Sequence, residues 1–154
     1  MNNRRKLVIA LGAGALVAPL RSFAQQQGKV WRLGYLSQQA HPDSLESGAS
    51  GAFRRGMRDL GYVEGKNLVI EWRFADSRFQ HLPDLAAELV RLRVDVIVSV
   101  GTASTGAAQK ATATIPIVMA TAPDPVGSGF VKSLARPGGN ITGLSNLATD
   151  ISPK

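Results

Sequence analysis

The sequence predicts a doubly wound α/β fold, with a parallel sheet of about five strands in the order 2-1-3-4-5. Short β-rich segments alternate with segments of helical periodicity along most of the chain. Residues 94–100 are almost wholly apolar, which is typical of a strand covered on both faces. Residues 67–74 alternate apolar and polar side chains, which favours an edge strand. The chain length fits one domain.

The first elements follow from this periodicity. A strand is predicted at residues 30–36, followed by a helix at 46–60. In that helix Phe53, Met57 and Leu60 share one face, and Gly61 ends it. The edge strand at 67–74 comes next.

The remaining elements continue the alternation. A helix is predicted at residues 80–92, with Pro83 in its first turn. The apolar strand at 94–100 follows. The last four predicted elements are helix 102–112, strand 116–121, helix 126–135 and strand 140–144.

The N-terminus has the pattern of an export signal. The cations Arg4, Arg5 and Lys6 precede an apolar run at residues 7–20, and small residues lead to a predicted cleavage between Ala24 and Gln25. The run is shorter than the ~20 residues that a membrane span needs. The chain has no cysteine, which excludes a lipoprotein anchor and disulfides. A soluble periplasmic protein is expected, by either the Sec or the twin-arginine route.

The net charge of +7 does not indicate nucleic-acid binding. Four of the eighteen cations and none of the eleven acidic residues lie in the first 24 residues, which leaves the mature part at +3. The remaining cations are scattered, without the interleaved aromatic residues that stack bases.

Small ligands bind parallel sheets at the carboxyl ends of the strands, near helix N-termini and loop N–H groups. The loops after the first, third and fourth strands should converge at that edge. The predicted ligand-binding residues are Ser37, Gln38, Gly101, Thr102, Ala103, Asp124, Pro125, Val126 and Ser145. Ser37 also fits a strand end, Thr102 an N-cap, and Asp124 a capped turn, which is the favoured interpretation for Asp124.

Enzymatic motifs are missing. The segment GYLSQQ at 34–39 lacks two glycines of a dinucleotide loop, and alanines at 107–108 replace the Lys-Ser/Thr of a phosphate loop. No Gly-x-Ser-x-Gly elbow occurs. His41 and His81 lack neighbours that would make a metal site. No catalytic residue, metal or cofactor is therefore expected.

Six segments, in order, carry a resemblance to a known family. They are LGYVEGKN at 60–67, LPDLAAELV at 82–90, VDVIV at 94–98, IPIV at 115–118, DPVG at 124–127 and LARPGGNITGLS at 134–145. Together they resemble the ABC transporter substrate-binding protein family related to the tryptophan-binding TrpX proteins.

The resemblance implies a type I periplasmic binding protein, in which two α/β lobes close around a small molecule, such as an amino acid, for a membrane permease and its ATPase. It divides the chain into a signal peptide at 1–24, a first lobe at 25–145 and a truncated crossover toward a missing second lobe at 146–154. The chain is thus expected to be an amino-terminal fragment. Two alternatives stay open: a truncated remnant that binds nothing, and an exported enzyme or sensor domain on the same sheet.

Overall fold

The computed structural model describes residues 28–145. The predicted signal peptide, its cleavage site between Ala24 and Gln25, and the predicted crossover at 146–154 lie outside this range. The elements in chain order are β1 (Trp31–Ser37), α1 (Gly48–Asp59), β2 (Leu68–Phe74), a 3-10 turn (Phe79–His81), α2 (Leu82–Arg91), β3 (Val96–Val100), α3 (Thr102–Ala111), β4 (Ile117–Ala122) and β5 (Ile141–Ser145). Within residues 28–145, no helix is long and apolar enough to cross a membrane.

The five strands form one parallel sheet in the order β2-β1-β3-β4-β5, as predicted. Ser37 pairs with Phe74 on one side and with Val100 on the other. On β5, Ser145 pairs with Ala122 at the end of β4. The carboxyl ends of all five strands therefore lie along one edge of the sheet, here called the carboxyl edge. Strand β2, in which apolar and polar residues alternate, is an edge strand of the sheet, as its polar face predicted.

Helices cover the two faces of the sheet. On one face, α2 and α3 pack on fully buried residues that include Leu36, Ile97 and Ile117. On the other, α1 places Phe53 and Met57 against a second cluster built from β1, β2 and β3. Because each fully buried Leu or Ile side chain contributes ~1.5–3 kcal/mol, these two clusters hold the sheet between its helices.

The predicted helix at residues 126–135 is wrong. Only a single turn forms, in which the Ser128 N–H donates to the Asp124 carbonyl at 3.0 Å. Gly129 then adopts a φ of 72°, and its N–H donates to the Val126 carbonyl at 2.9 Å. The Phe130 N–H donates to the Pro125 carbonyl at 2.9 Å, which completes a Schellman motif that ends the turn.

The apolar residues that suggested this helix lie in a loop and pack against the core. Phe130 and Val131 are only 8% and 5% exposed and belong to the core under α3. The other predicted elements exist. Their boundaries differ from the predicted ones by at most two residues, as at β3, which begins at Val96.

Asp95 connects the starts of β1 and β3. The Arg32 N–H donates to Asp95 Oδ2 at 2.8 Å, and the Lys29 ammonium lies 2.9 Å from Oδ1. These groups stabilise the charged carboxylate, so the hydrogen bond from the Arg32 N–H, followed by that from the Lys29 ammonium, lowers the pKa of Asp95 below its usual range.

Asp95→Asn is expected to lower the free energy of unfolding near neutral pH, with a difference from the wild type that shrinks as the pH falls below about 4. The sign follows because the folded-state pKa is depressed. The stabilisation is present above the unfolded-state pKa and is lost as the pH falls through the folded-state pKa. Urea denaturation at pH 6 and pH 3 measures this. A difference that is equal at both pH values would contradict it. Asp43→Asn, which removes an exposed carboxylate, should change stability by less than about 0.5 kcal/mol.

Candidate functional site

The predicted ligand-binding residues lie at the carboxyl edge. Ser37 and Gln38 are at the end of β1, Gly101, Thr102 and Ala103 follow β3, Asp124, Pro125 and Val126 follow β4, and Ser145 ends β5. Since β1, β3 and β4 are neighbours, their loops are adjacent as expected. The placement is confirmed, and the ligand-binding role of each residue remains a prediction.

Ser37 closes the turn after β1. Its side-chain oxygen accepts a hydrogen bond from the Gln39 N–H at 3.1 Å, and the residue is 1% exposed. These contacts are those of a residue that ends a strand, which was one of the two interpretations of Ser37.

Gln38 caps α3 from another loop. Its side-chain oxygen Oε1 accepts a hydrogen bond from the Ala103 N–H at 3.1 Å. The N-cap position of α3 is Gly101, with a φ of 97° and no side-chain cap of its own, so the N-cap interpretation of Thr102 is wrong. Thr102 is the first residue of the helix and is exposed. As an exposed residue at the carboxyl edge, Thr102 is accessible to solvent.

Asp124 begins the single turn after β4. Its Oδ1 accepts a hydrogen bond from the Gly127 N–H at 2.8 Å, which is an N-cap contact. Pro125 is fully buried beneath it, whereas Asp124 and Val126 are exposed. Asp124 therefore caps the turn through Oδ1, as the favoured interpretation predicted. The residue also places a carboxylate at the carboxyl edge.

Replacing Asp124 with alanine is expected to lower the free energy of unfolding by about 1 kcal/mol, because the Gly127 N–H loses its cap. Asp124→Asn should cost only a few tenths of a kcal/mol, since asparagine caps about equally well. Urea denaturation of both variants measures the difference. Equal stability of the alanine variant and the wild type would show that the cap contributes nothing.

Two serine hydroxyls near this edge are buried and have no hydrogen-bond partner among residues 28–145. They belong to Ser104, in the first turn of α3, and to Ser145 at the end of β5. Buried hydroxyls of this kind are uncommon in native structures. They are polar groups of the described chain that a ligand or a neighbouring segment would satisfy.

The loop after β2 also belongs to the edge, and the sequence analysis gave it no role. The Ala75 N–H donates to the Ser37 carbonyl at 2.9 Å, and the Ser77 N–H donates to the Gln38 carbonyl at 3.0 Å. Asp76 and Ser77 both adopt positive φ, at 51° and 61°. The only sequence signal was an Asp-Ser pair directly after a strand.

No three acidic or histidine side chains among residues 28–145 are grouped so that they could hold a metal ion. The carboxyl edge instead offers backbone N–H groups, hydroxyls and the carboxylates of Asp76 and Asp124, which are suited to hydrogen bonding a small polar molecule.

Comparison with known proteins identifies the family. The model of a family described as ABC transporter substrate binding protein matches residues 36–151. The chain belongs to this family of substrate-binding proteins. A tyrosine-binding protein of Clostridioides difficile (strain R20291) is 37% identical over 111 residues, which cover 72% of this chain and 32% of the relative.

Solved structures share the fold. A conserved domain protein from Vibrio cholerae O1 biovar El Tor is 36% identical with a TM-score of 0.68, over 77% of this chain and 40% of that one. An ABC domain from Streptococcus pneumonia in complex with L-Trp is 28% identical with a TM-score of 0.64, over 76% and 39%. This family member spans about a third of the length of its tyrosine-binding relative.

Proposed function

We propose that this chain is the solute-binding component of an ABC importer, and that it contributes the first lobe of a two-lobed cleft for an amino acid. The observation that carries the proposal is that the α3 N-terminus and Asp124 lie at the same edge of the sheet, after the neighbouring strands β3 and β4. Family membership supports a binding role in place of catalysis. The relatives described as tyrosine-binding or bound to L-Trp support an amino acid as the ligand.

The charges along the carboxyl edge suit a zwitterion. The N-terminus of α3 carries a partial positive charge and exposes the Thr102 hydroxyl, which favours a carboxylate. Asp124 offers a carboxylate oxygen that does not serve as its cap, which favours an ammonium group. An amino acid carries both complementary charges on adjacent atoms.

Partners and location follow from this role. The export signal predicted at residues 1–24 would deliver the protein to the periplasm, where it would present its solute to a permease coupled to a cytoplasmic ATPase. The solved relatives are matched over only 39% and 40% of their length. This is consistent with one lobe of a cleft that a second lobe completes, because hinge closure around ligand is what gives such proteins their affinity.

Isothermal titration of the purified chain with L-tyrosine, L-tryptophan and a panel of other amino acids tests the proposal. Binding of at least one of them is expected. Thr102→Ala and Asp124→Asn should each weaken that binding by about 1–3 kcal/mol, because each leaves a polar ligand group unsatisfied. Asp59→Asn makes the same charge change at the far end of α1 and should leave binding unchanged.

The alternative is a remnant that binds nothing. Absence of both heat and a thermal shift with every amino acid would favour the remnant over the binding protein. Unchanged affinity in both site variants would move the site away from the α3 N-terminus and Asp124.

A further inference from the structure

Gln38 occupies the helix N-terminus that the proposed ligand would use. Its Oε1 accepts the Ala103 N–H at 3.1 Å, although the two residues are 65 positions apart in the chain. A Cβ added to Gly101 would lie 2.4 Å from the carboxamide carbon of Gln38. Only glycine at position 101 therefore leaves room for this side chain over the start of α3.

The backbone of Gln38 is held in place from the side of β2. Its carbonyl accepts the Ser77 N–H at 3.0 Å, and the preceding carbonyl of Ser37 accepts the Ala75 N–H at 2.9 Å. Positive φ at Asp76 and Ser77 makes this contact possible. Because the backbone is fixed, displacement of Gln38 from α3 is a movement of its side chain alone.

A second observation points to an absent ligand at the same helix end. Ser104 is the third residue of α3 and 0% exposed, and its hydroxyl has no hydrogen-bond partner within the described part of the chain. The Cα–Cβ bonds of a helix tilt toward its N-terminus. The Ser104 side chain therefore leans toward the start of α3, where Gln38 caps the Ala103 N–H.

We propose that the Gln38 carboxamide is a built-in substitute for the ligand carboxylate, and that binding exchanges one for the other at the Ala103 N–H. The inference rests on the proposed function. A charged carboxylate is a stronger acceptor at a helix N-terminus than a neutral amide oxygen, so the exchange favours the ligand. The incoming carboxylate also gives the Ser104 hydroxyl an acceptor. An amide or amine without a carboxylate has no such advantage over Gln38 and is rejected.

The test compares the full chain with Gln38→Ala by titration with L-tyrosine and with L-tyrosinamide, followed through the amide signal of Ala103 in ¹⁵N NMR spectra. Removing the competing side chain should tighten L-tyrosine binding about fivefold, the factor that corresponds to one net hydrogen bond. L-tyrosinamide should bind the wild type at least tenfold more weakly than L-tyrosine, about the discrimination that one charge-assisted hydrogen bond provides. Without ligand, hydrogen exchange at Ala103 should be faster in Gln38→Ala than in the wild type.

Gln39→Ala is the matched control, because Gln39 is exposed and its side chain makes no hydrogen bond among residues 28–145. It should match the wild type in affinity and in Ala103 exchange. Equal or weaker L-tyrosine binding by Gln38→Ala would overturn the inference and leave the proposed function intact. Unchanged Ala103 exchange would overturn it as well. If neither protein bound L-tyrosine or any amino acid of the panel, the proposed function would fail and the inference with it.

Discussion

Replacing Leu89 with alanine is expected to lower the free energy of unfolding by about 3 kcal/mol. Leu89 is fully buried on α2, and its side chain lies against Gly34 of β1. A Cβ on Gly34 would be only 2.9 Å from Leu89 Cδ1, so the leucine fills the space that glycine leaves. Truncation would leave a cavity between helix and sheet that the backbone of a central strand cannot collapse to fill.

Urea denaturation followed by circular dichroism measures this effect. Leu134→Ala is the control, since Leu134 is 52% exposed, and it should change stability by less than about 0.5 kcal/mol. Similar small losses for both variants would mean that α2 is not packed on the sheet as described.

Replacing Gly101 with alanine is expected to cost about 2 kcal/mol of stability. The φ of 97° at Gly101 is a conformation that residues with a Cβ adopt only with strain. The new methyl group would also overlap the Gln38 carboxamide, so the Ala103 N–H would lose its acceptor. Strain and loss of the cap act in the same direction, and both act at the proposed binding edge.

Gly56→Ala makes the same chemical change inside α1, where no atom lies within 4 Å of the new Cβ. It should stabilise the protein by about 0.5–1 kcal/mol, because alanine favours helix more than glycine does. Thermal and urea unfolding of the two variants should therefore give shifts of opposite sign. A stabilising effect of Gly101→Ala would show that position 101 does not adopt a positive φ in solution.

The sheet was predictable because the residue types in each strand indicate whether one or both of its faces are buried. Residues 94–100 are almost wholly apolar, and in the structure β3 lies at the centre of the sheet. Glu71 and Arg73 alternate with apolar residues, and β2 lies at the edge, where both charged side chains are only partly buried. The strand order 2-1-3-4-5 was then chosen because the partly polar strand at residues 67–74 fits an outer position.

The segment after β4 was not predictable by the same means. Its apolar residues Phe130 and Val131 are buried as a helical pattern would require. However, Gly129 at a φ of 72° ends the helix after one turn, and local hydrogen bonds decide this more than hydrophobic spacing does. The glycines at 127 and 129 were the available signal.

The candidate site also has one part that the sequence predicted and one part that it did not. That the loops bearing Ser37, Thr102 and Asp124 share an edge follows from topology alone. The contact between Gln38 and Ala103 depends on the reach and rotamer of one side chain between distant loops, and no sequence pattern encodes it.

An NMR titration of the chain with L-tyrosine, following every backbone amide, tests the central claim most directly. The claim is that the loops at the carboxyl edge form one face of a ligand cleft. The expected result is that shifts concentrate at residues 101–103 and 124–127, while Lys29, Asp95 and Thr114, at the opposite edge, do not change. Shifts that are centred on that opposite edge, or spread evenly over the sheet, would contradict the account.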